Sequence, residues 1–504
     1  MDLFISLLPA LVMITLVIAT RKVLLALFIG VILAALIHEG FHLIDSVIYI
    51  FNAFTGIILD FQWYMPIIGF VILIGGITAV ISLTGGIKAF ADWAVQKINN
   101  PVAAKLLTWV LGIIIFIDDY FNALVIGEVS KPVTDQYKVS RAKLAYIIDS
   151  TSAPVVILMP ISTWGAYIIG LIGNSFDSAG YDRQTAFMGF VSSIPFQFYP
   201  MVAIIMVFLI IKYGINLGPM RTYEEESLKG NDTSKVADSI AVKESDIEGV
   251  SATHWTLIIP MIVLVFMTFF GLLYKANFNF SIMLEQDITL PLFFAGVSAY
   301  LTAVVFGLFD KGVKFQSMMK VSLEGFYGMI KSATLILILA WMVSGSIQDL
   351  EVGQQVGTLI EGTALAASFL PLILFLIATF IAFSTGTSWG AFAILIPIAV
   401  PIAVASNPLF MPAILASVLG GAVVGDHSSP VSDTTVLSAT GAQSSLDAHF
   451  ISQLPYVLVS ASIASIGYLL YGLTSILFLS YIVMIIGLYI FVKLTKAKDL
   501  HDEA

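Results

Sequence analysis

A run of polar side chains interrupts a long apolar stretch of the sequence between residues 411 and 439. Its members carry carboxylate, imidazole or hydroxyl groups: Asp426, His427, Ser428, Ser429, Asp433 and Thr434. Carboxylates, hydroxyls and unwound backbone carbonyls are the oxygen ligands that a dehydrated Na⁺ needs, and an imidazole could add a proton-binding group. A charged side chain at mid-bilayer depth costs about 3 kcal/mol on insertion scales, so such residues usually handle ions or substrates. We therefore interpret this run as part of an ion-binding site.

A second run with the same ingredients occurs earlier, where Asp149, Thr151 and Ser152 precede Pro154. Proline weakens a helix, and Pro430 follows Asp426 in the same way. No Lys or Arg is evident in these apolar stretches as a partner for the carboxylates, which favours an external cation over a purely structural role. The sequence therefore predicts Na⁺ binding by one set of residues from both runs: Asp149, Ser152, Asp426, Ser429 and Asp433.

Two further polar groups are candidates for binding a solute or an ion. The first is Asp118, Asp119 and Asn122, and the second is Thr385, Thr387 and Ser388 beside Gly386. Exposed amides at the start of a half-helix attract anions, which suits the second group. Structural alternatives stay open, because Asp118 or Asp119 could lie at the membrane surface and His427 could be structural. Ser162 and Thr163 are expected to bond to helix carbonyls rather than to a ligand.

The composition identifies the kind of chain that must position these groups. The 504 residues are 59% hydrophobic and 11% charged, whereas soluble domains carry about 25% charged residues. Apolar runs of about 20 residues predict an all-α polytopic membrane protein with about 11 transmembrane spans. The net charge of −10 argues against a nucleic-acid partner, and the absence of cysteine leaves no disulfide framework to interpret.

The distribution of basic residues predicts the orientation of the spans. Lys and Arg cluster at 21–22, 131–143, 311–320 and 493–498, which we expect to face the cytoplasm. We therefore expect a multi-pass protein of the bacterial cytoplasmic membrane with an outward N-terminus and a cytoplasmic C-terminus. Residues 102–129 have basic flanks on both sides but are too short for two crossings of about 20 residues each, which predicts a re-entrant hairpin. Residues 174–183, 277–287 and 348–361 contain one Arg in total and are expected to face outward. Residues 369–405 are flanked by outward-facing segments, which predicts a second hairpin that enters from the opposite side.

Each predicted hairpin precedes an apolar segment that is too long for one straight span, at about 144–173 and about 411–441. Both segments should be broken helices, with the breaks expected at 149–154 and 426–433. A hairpin followed by a broken helix, twice and in opposite orientations, is typical of inverted-topology repeats that form a transport site at the midplane. The predicted halves are 1–212 and 254–473, joined by a flexible cytoplasmic polar linker at 213–253, with an extra span and tail at 474–504. A sequence echo between 162–167 and 387–392 carries little weight at this point, because its copies occupy different predicted positions.

The motifs at 425–435, 437–441 and 117–122 resemble those of the NhaC-type Na⁺/H⁺ antiporter family within the ion transporter superfamily. The resemblance extends over about residues 67–470. It implies paired re-entrant hairpins, Na⁺ coupling, and a role for the Asp, Ser and Thr positions named above. The family also includes exchangers of organic acids such as malate and lactate, and carriers of amino acids, so the resemblance does not fix the substrate.

The leading functional hypothesis is Na⁺/H⁺ antiport by alternating access, with Na⁺ and H⁺ competing at Asp149, Asp426 and Asp433. The alternative is Na⁺-coupled symport or exchange of a small organic solute, an amino acid or a carboxylate, held near Asn122 and 385–388. We expect no enzymatic activity and no cofactor beyond the coupling Na⁺. The expected partners are Na⁺, H⁺, the lipid bilayer and, in the alternative, the organic solute; a homodimer is left open.

A distant alternative arises from residues 38–42, where His38, Glu39 and His42 match the H-E-x-x-H pattern. On a helix, two His four residues apart bind Zn²⁺ beside a Glu base, which would suggest an intramembrane zinc protease. No third ligand is evident, and the segment lies at the predicted outer end of the second span. A channel is a third alternative, but broken helices in inverted repeats favour alternating access.

Overall fold

The computed structural model describes residues 3–495 except for 21, 87–88, 90–97, 236–252, 281, 284–285, 310–312, 351–363 and 431. Over these residues the chain is helical, and its β pairing is a single bridge between Lys235 and Ser444. The helices before the polar linker and within it are α1 Leu3–Thr20, α2 Val23–His38, α3 Leu43–Ile58, α4 Tyr64–Leu83, α5 Pro101–Ile114, α6 Asp119–Gln136, α7 Arg141–Val156, α8 Thr163–Ser178, α9 Ala186–Ser193, α10 Phe198–Tyr213 and α11 Pro219–Leu228. Those after it are α12 Trp255–Lys275, α13 Thr289–Phe309, α14 Phe315–Met329, α15 Leu335–Asp349, α16 Ala364–Thr385, α17 Ser388–Ser406, α18 Met411–His427, α19 Asp433–Ala442, α20 Leu446–Thr474 and α21 Leu477–Thr495.

The chain is a polytopic all-α membrane protein, as its composition predicts. Among the described residues, eight helices are long and apolar enough to cross a membrane. A ninth span is reached if α9 and α10, which are bent by 49°, count as one. The count of eleven spans stays a prediction. Pro195 lies at the bend, where its missing N–H and ring interrupt the helical hydrogen bonds.

Helix–break–helix units occur at the four predicted places. The first hairpin segment is α5 and α6 with a break at 115–118, and the second is α16 and α17 with a break at 386–387. The long segments are α7 and α8, broken at 157–162, and α18 and α19, broken at 428–432. Whether each hairpin enters and leaves on one side of the membrane stays a prediction.

The break predicted at 149–154 is wrong in position. Asp149 and Pro154 both lie inside α7, which continues to Val156. Pro160 explains the later break, because a proline disfavours the helical conformation of the residue before it and has no N–H to donate. Asp149 therefore projects from an intact helix, whereas Asp426 lies in the last turn of α18.

The broken helices form the centre of the molecule. Every residue of α7 is buried, as are residues Thr163 to Phe176 of α8. Helices α16 and α18 approach closely because Gly421 and Gly425 face the backbone of α16, where an added Cβ would lie 2.2 Å from a carbonyl oxygen in each case. Small residues four apart allow such close packing of membrane helices. The continuous helices α12, α13 and α21 instead expose large apolar side chains, as lipid-facing helices do.

The polar linker is ordered over its first part, which corrects the prediction of a flexible connector. Helix α11 and residues up to 235 fold against the start of α7. Glu224 Oε1 accepts hydrogen bonds from the backbone N (2.8 Å) and the hydroxyl (2.6 Å) of Ser140, and Asp232 Oδ2 accepts one from Arg141 N (2.9 Å). These carboxylates satisfy amides at a helix N-terminus and interact favourably with its dipole. Residues 236–252 of the linker lie outside the described residues.

We expect Glu224→Ala to lower the free energy of unfolding by about 1–3 kcal/mol, because the buried N–H of Ser140 would lose its partner. Thermal unfolding of the purified protein in detergent measures this change. Glu225→Ala is the matched control, since Glu225 pairs with Arg221 on the exposed side of the same helix. Such exposed pairs contribute about 0.3–0.5 kcal/mol. Equal losses in the two variants would contradict a specific role for the Glu224 contact.

The H-E-x-x-H segment does not form the helix that a zinc site requires. Helix α2 ends at His38, and Gly40 and Phe41 adopt left-handed conformations with φ of 59° and 66°. His42 then precedes α3 as its N-cap. The two imidazoles are therefore not one turn apart on a helix, and the basis of the zinc-protease hypothesis is lost.

Candidate functional site

The tip of the first hairpin is held by two buried carboxylates that contact the start of α8. Asp118 Oδ2 accepts a hydrogen bond from Thr163 Oγ1 at 3.0 Å, and Asp119 Oδ1 accepts one from Trp164 Nε1 at 2.8 Å. Asp118 is 6% exposed and Asp119 is 1% exposed, so neither side chain lies at a surface. Thr163 therefore does not bond back to a carbonyl of its own helix, as expected from the sequence, but to Asp118 and to the carbonyl of Ile117 (3.4 Å). Ser162 does bond to the carbonyl of Met159 (2.7 Å).

Two other predicted site residues stabilise this tip. Asn122 Nδ2 donates to the carbonyls of Gly112 (2.9 Å) and Ile115 (2.6 Å), and so satisfies carbonyls at the end of α5. Ser152 Oγ donates to the backbone carbonyl of Asp119 at 2.8 Å. The serine hydroxyl therefore joins α7 to the hairpin, and it has no described contact with the Asp149 carboxylate.

The Asp426 group links the second hairpin to the second broken helix. Ser388 Oγ, at the start of α17, donates to Asp426 Oδ2 at 2.8 Å, and the Ser432 hydroxyl donates to Asp426 Oδ1. Ser432 is also 2.9 Å from Thr434 Oγ1 and caps α19 through the backbone N of Thr435. One carboxylate thus receives one hydroxyl from the start of α17 and one from the break at 428–432. Asp433 begins α19, and its side chain lies outside what the structure describes.

The Asp149 group joins four helices around one fully buried carboxylate. Ser438 Oγ of α19 donates to Asp149 Oδ1 at 3.1 Å, and Gln453 Nε2 of α20 donates to Oδ2 at 2.7 Å. His449 Nε2 of α20 lies 3.3 Å from Oδ2, and His427 Nε2 of α18 lies 3.9 Å from Oδ1. All five side chains are buried. The described contacts of this carboxylate include no Lys or Arg, so its charge is balanced only when an imidazole is protonated or a cation binds.

His427 connects this group to the Asp426 group. The Nδ1 atom of His427 is 3.0 Å from the Tyr199 hydroxyl. Gln453 Nε2, which donates to Asp149, also donates to the backbone carbonyl of His427 at 2.7 Å. Three buried polar atoms here have no hydrogen-bond partner among the described residues: His427 Nε2, His449 Nδ1 and Gln453 Oε1. Unsatisfied buried polar atoms are rare in proteins, and they mark places where ions or protons can be accommodated.

The remaining predicted hydroxyl ligands have mostly local contacts. Three bond to carbonyls one turn earlier in their own helices: Thr151 to Ile147 (2.7 Å), Thr385 to Ile381 (3.0 Å) and Ser428 to Val424 (2.7 Å). Such bonds use the hydroxyl donor but leave an oxygen lone pair available. Ser429 is buried within the break, and Thr387 precedes α17 as an N-cap without a side-chain bond to that helix.

Side-chain contacts are described for three of the five predicted Na⁺ ligands, and these three lie in different places. Asp149 and Asp426 belong to adjoining groups, and Ser152 contacts the hairpin carbonyl. Among the described residues, no cluster of three or more Asp, Glu, His or Cys side chains has the geometry to hold a metal ion. A Na⁺ site here would depend on hydroxyl and carbonyl oxygens beside one carboxylate, and Na⁺ binding stays a prediction.

The sequence echo between 162–167 and 387–392 is structurally meaningful. Thr163–Trp164 starts α8 and Ser388–Trp389 starts α17, so both copies begin half-helices at the centre. The two indole rings are 5.9 Å apart and edge-on, and the Tyr167 hydroxyl donates to the backbone carbonyl of Trp389 at 3.1 Å. In both copies the hydroxyl donates to a carboxylate, that of Asp118 or of Asp426. The two copies occupy different positions in the two halves, and what they share is the start of a half-helix.

Sequence reasoning missed five members of these groups: Tyr199, Ser432, Ser438, His449 and Gln453. His449 and Gln453 are four residues apart and share one face of α20. Helix α20 begins at Leu446, directly after its N-cap Ser445, so both residues lie in its first turns. A helix pattern extended back to the Ser445 cap would have placed both residues inside the span.

Comparisons with known proteins agree with this architecture and with the resemblance noted in the sequence. The profile of the Na⁺/H⁺ antiporter family matches residues 155–473. A Haemophilus influenzae relative, described as an uncharacterized protein, is 35% identical over 482 residues, which cover 93% of this chain and 91% of the relative.

Two solved transporter structures have a similar fold. The Alcanivorax borkumensis YdaH transporter has a TM-score of 0.58 and 14% identity, over 85% of this chain and 89% of that one. Neisseria gonorrhoeae MtrF, described as illuminating a class of antimetabolite efflux pumps, has a TM-score of 0.52 and 14% identity, over 85% and 84% of the two chains. At this identity the similarity concerns the fold.

Proposed function

This chain belongs to the Na⁺/H⁺ antiporter family, and we propose that it is a secondary active transporter that exchanges Na⁺ for H⁺ by alternating access. The observation that supports this proposal most strongly is the Asp149 group. A buried carboxylate has two imidazoles within 3.9 Å and no described Lys or Arg contact. A site of this kind binds a cation from outside the protein.

The coupling follows from charge balance in a buried site. When both imidazoles are neutral, Asp149 carries one uncompensated negative charge, which is costly away from water. Either Na⁺ or a proton removes that cost, and binding of one makes binding of the other unfavourable. Exclusive occupancy by one of two cations, carried across by the same site, is what an exchanger requires.

The helix breaks supply the movement in this proposal. Asp149 is contacted from α18, α19 and α20, so its surroundings change if α18 and α19 tilt about the break at 428–432. Discontinuous helices at the midplane allow one repeat to rock against the other around a fixed site. We also propose that the protein lies in the bacterial cytoplasmic membrane with its C-terminus in the cytoplasm, which the Lys residues after α21 support.

Proteoliposomes with a trapped pH indicator test the exchange. External NaCl, added without any organic solute, should make the lumen more alkaline as Na⁺ enters and H⁺ leaves, and an equal concentration of KCl should not. An unchanged lumen would overturn the antiporter proposal. If the response required an added amino acid or carboxylate, the alternative of a Na⁺-coupled solute carrier would replace it.

A further inference from the structure

The side-chain amide of Gln453 lies where two acceptors of the Asp149 group converge. Gln453 Nε2 is 2.7 Å from Asp149 Oδ2 and 2.7 Å from the backbone carbonyl oxygen of His427. All three residues are fully buried. A carboxylate and a carbonyl only accept hydrogen bonds, so the nitrogen of the amide, and not its oxygen, must face them. Both N–H groups of this amide are therefore used at one point between α7, α18 and α20.

This point has the chemistry of a Na⁺ site. Asp149 supplies a carboxylate oxygen, and His427 is the last residue of α18, directly before the break at 428–432. The carbonyl end of a half-helix carries the negative end of the helix dipole, and such ends coordinate Na⁺ in discontinuous membrane helices. Ser438 donates to the other carboxylate oxygen, Oδ1, at 3.1 Å. The oxygen that faces the end of α18 is therefore Oδ2, which His449 Nε2 also approaches at 3.3 Å.

The amide satisfies these two acceptors without neutralising the charge of the site. Glutamine is neutral, so the Asp149 carboxylate keeps its full negative charge when the amide is bound to it, and a buried charge without a counter-charge is costly. Na⁺ at the same point would supply the missing positive charge.

The amide is also free to leave. Gln453 Oε1 has no hydrogen-bond partner among the described residues, so the bonds described for this amide are the two that Na⁺ would replace. Glutamine is one of the side chains with the most rotamer freedom. The ion takes the place of the amide nitrogen and therefore needs no pre-existing cavity.

We propose that Gln453 sets the Na⁺ affinity of the site, because its amide is a neutral substitute for Na⁺ at Asp149 Oδ2 and the His427 carbonyl, and Na⁺ displaces it. The proposal rests on the proposed binding of Na⁺ at Asp149. The substitute stabilises the ion-free site and so weakens Na⁺ binding, which lets an exchanger release its ion. A residue that coordinates Na⁺ would have the opposite effect on affinity.

Gln453→Met tests the proposal, because methionine is similarly long and unbranched but has no N–H donor. The ion-free site loses two hydrogen bonds and the Na⁺-bound site loses none, so the half-saturating Na⁺ concentration should fall about tenfold or more. The measurement is the thermal unfolding midpoint of the purified full-length protein in detergent, titrated with NaCl and, separately, with KCl. A ligand that binds only the folded protein raises this midpoint. If Gln453→Met does not fold, Gln453→Leu provides the same test.

Gln197→Met is the matched control. Gln197 is also fully buried, and its Nε2 donates to a carbonyl beside another helix break, that of Ile157, at 3.4 Å. It has no described contact with Asp149. This variant should leave the half-saturating Na⁺ concentration unchanged, even if its unfolding midpoint is lower than that of the wild type.

The direction of the change decides the role of Gln453. A higher half-saturating Na⁺ concentration in Gln453→Met would identify the amide oxygen as a Na⁺ ligand, and an unchanged concentration would identify a structural residue; either result overturns the proposal. A wild-type midpoint that rises equally in NaCl and KCl would overturn the Na⁺ site and this proposal with it. Stabilisation by Na⁺ without luminal alkalinisation in proteoliposomes would overturn only the exchange, and the affinity comparison would still decide the role of Gln453.

Discussion

Asp149→Asn is expected to reduce Na⁺-dependent proton movement about 100-fold or more while the protein stays folded, since each interaction with a charged group contributes about 1.5–3 kcal/mol. The substitution keeps the size of the side chain and removes its charge. The amide that replaces the carboxylate would offer no negative charge to Na⁺ and no group that exchanges a proton. Folding should survive, because replacing a buried charge that lacks a full counter-charge costs little or stabilises the protein.

The measurement is the rate of luminal alkalinisation in proteoliposomes, compared with the thermal unfolding of the same preparation. Asp447→Asn is the matched control, because Asp447 is an exposed carboxylate on α20, two residues before His449. It should exchange at the wild-type rate. Wild-type exchange in Asp149→Asn would remove Asp149 from the transport site and leave its four contacts with a structural role.

Asp426→Asn is expected to raise the Na⁺ concentration that gives half-maximal exchange by about tenfold or more, a change of about 1.4 kcal/mol. The Asp426 carboxylate accepts from the hydroxyls of Ser388 and Ser432, which belong to different helix segments. Without the charge of the carboxylate, the oxygens of residues 388, 426 and 432 would bind Na⁺ less tightly. Ser388→Ala should produce a smaller shift in the same direction, because it removes one neutral ligand and keeps the charge.

The Na⁺ dependence separates this role from a structural one. If Asp426 only holds α17, α18 and the Ser432 segment together, Asp426→Asn would lower the unfolding temperature and leave the half-maximal Na⁺ concentration unchanged. Ser417→Ala is the control for hydroxyl loss, since Ser417 is buried on the same helix and bonds to its own backbone at Ile414. It should change neither the exchange nor its Na⁺ dependence.

The sequence by itself determined the class of the protein and the approximate positions of its breaks. Apolar runs, their lengths and their basic flanks are local properties of the sequence. They suffice to predict membrane helices because such a helix forms its backbone hydrogen bonds within its own segment. The breaks near Gly386 and Pro430 are predictable from the sequence because glycine readily adopts positive φ and proline has a fixed φ and no N–H, and neither property depends on neighbouring residues. The break after Asp149 was misplaced because two prolines, Pro154 and Pro160, lie in one segment and only the second ends the helix.

Only the tertiary structure decided which polar groups meet. Asp149 and Gln453 are 304 residues apart, and Tyr49 and Asp349 are 300 apart. The period of a helix predicts which side chains share its face, but it does not say which face of which other helix will lie opposite. Which faces lie opposite each other depends on how all the helices pack together, including close approaches such as those at Gly421 and Gly425. The sequence could therefore predict a buried carboxylate at Asp149, whereas its imidazole and amide partners emerged only when α7, α18, α19 and α20 were packed together.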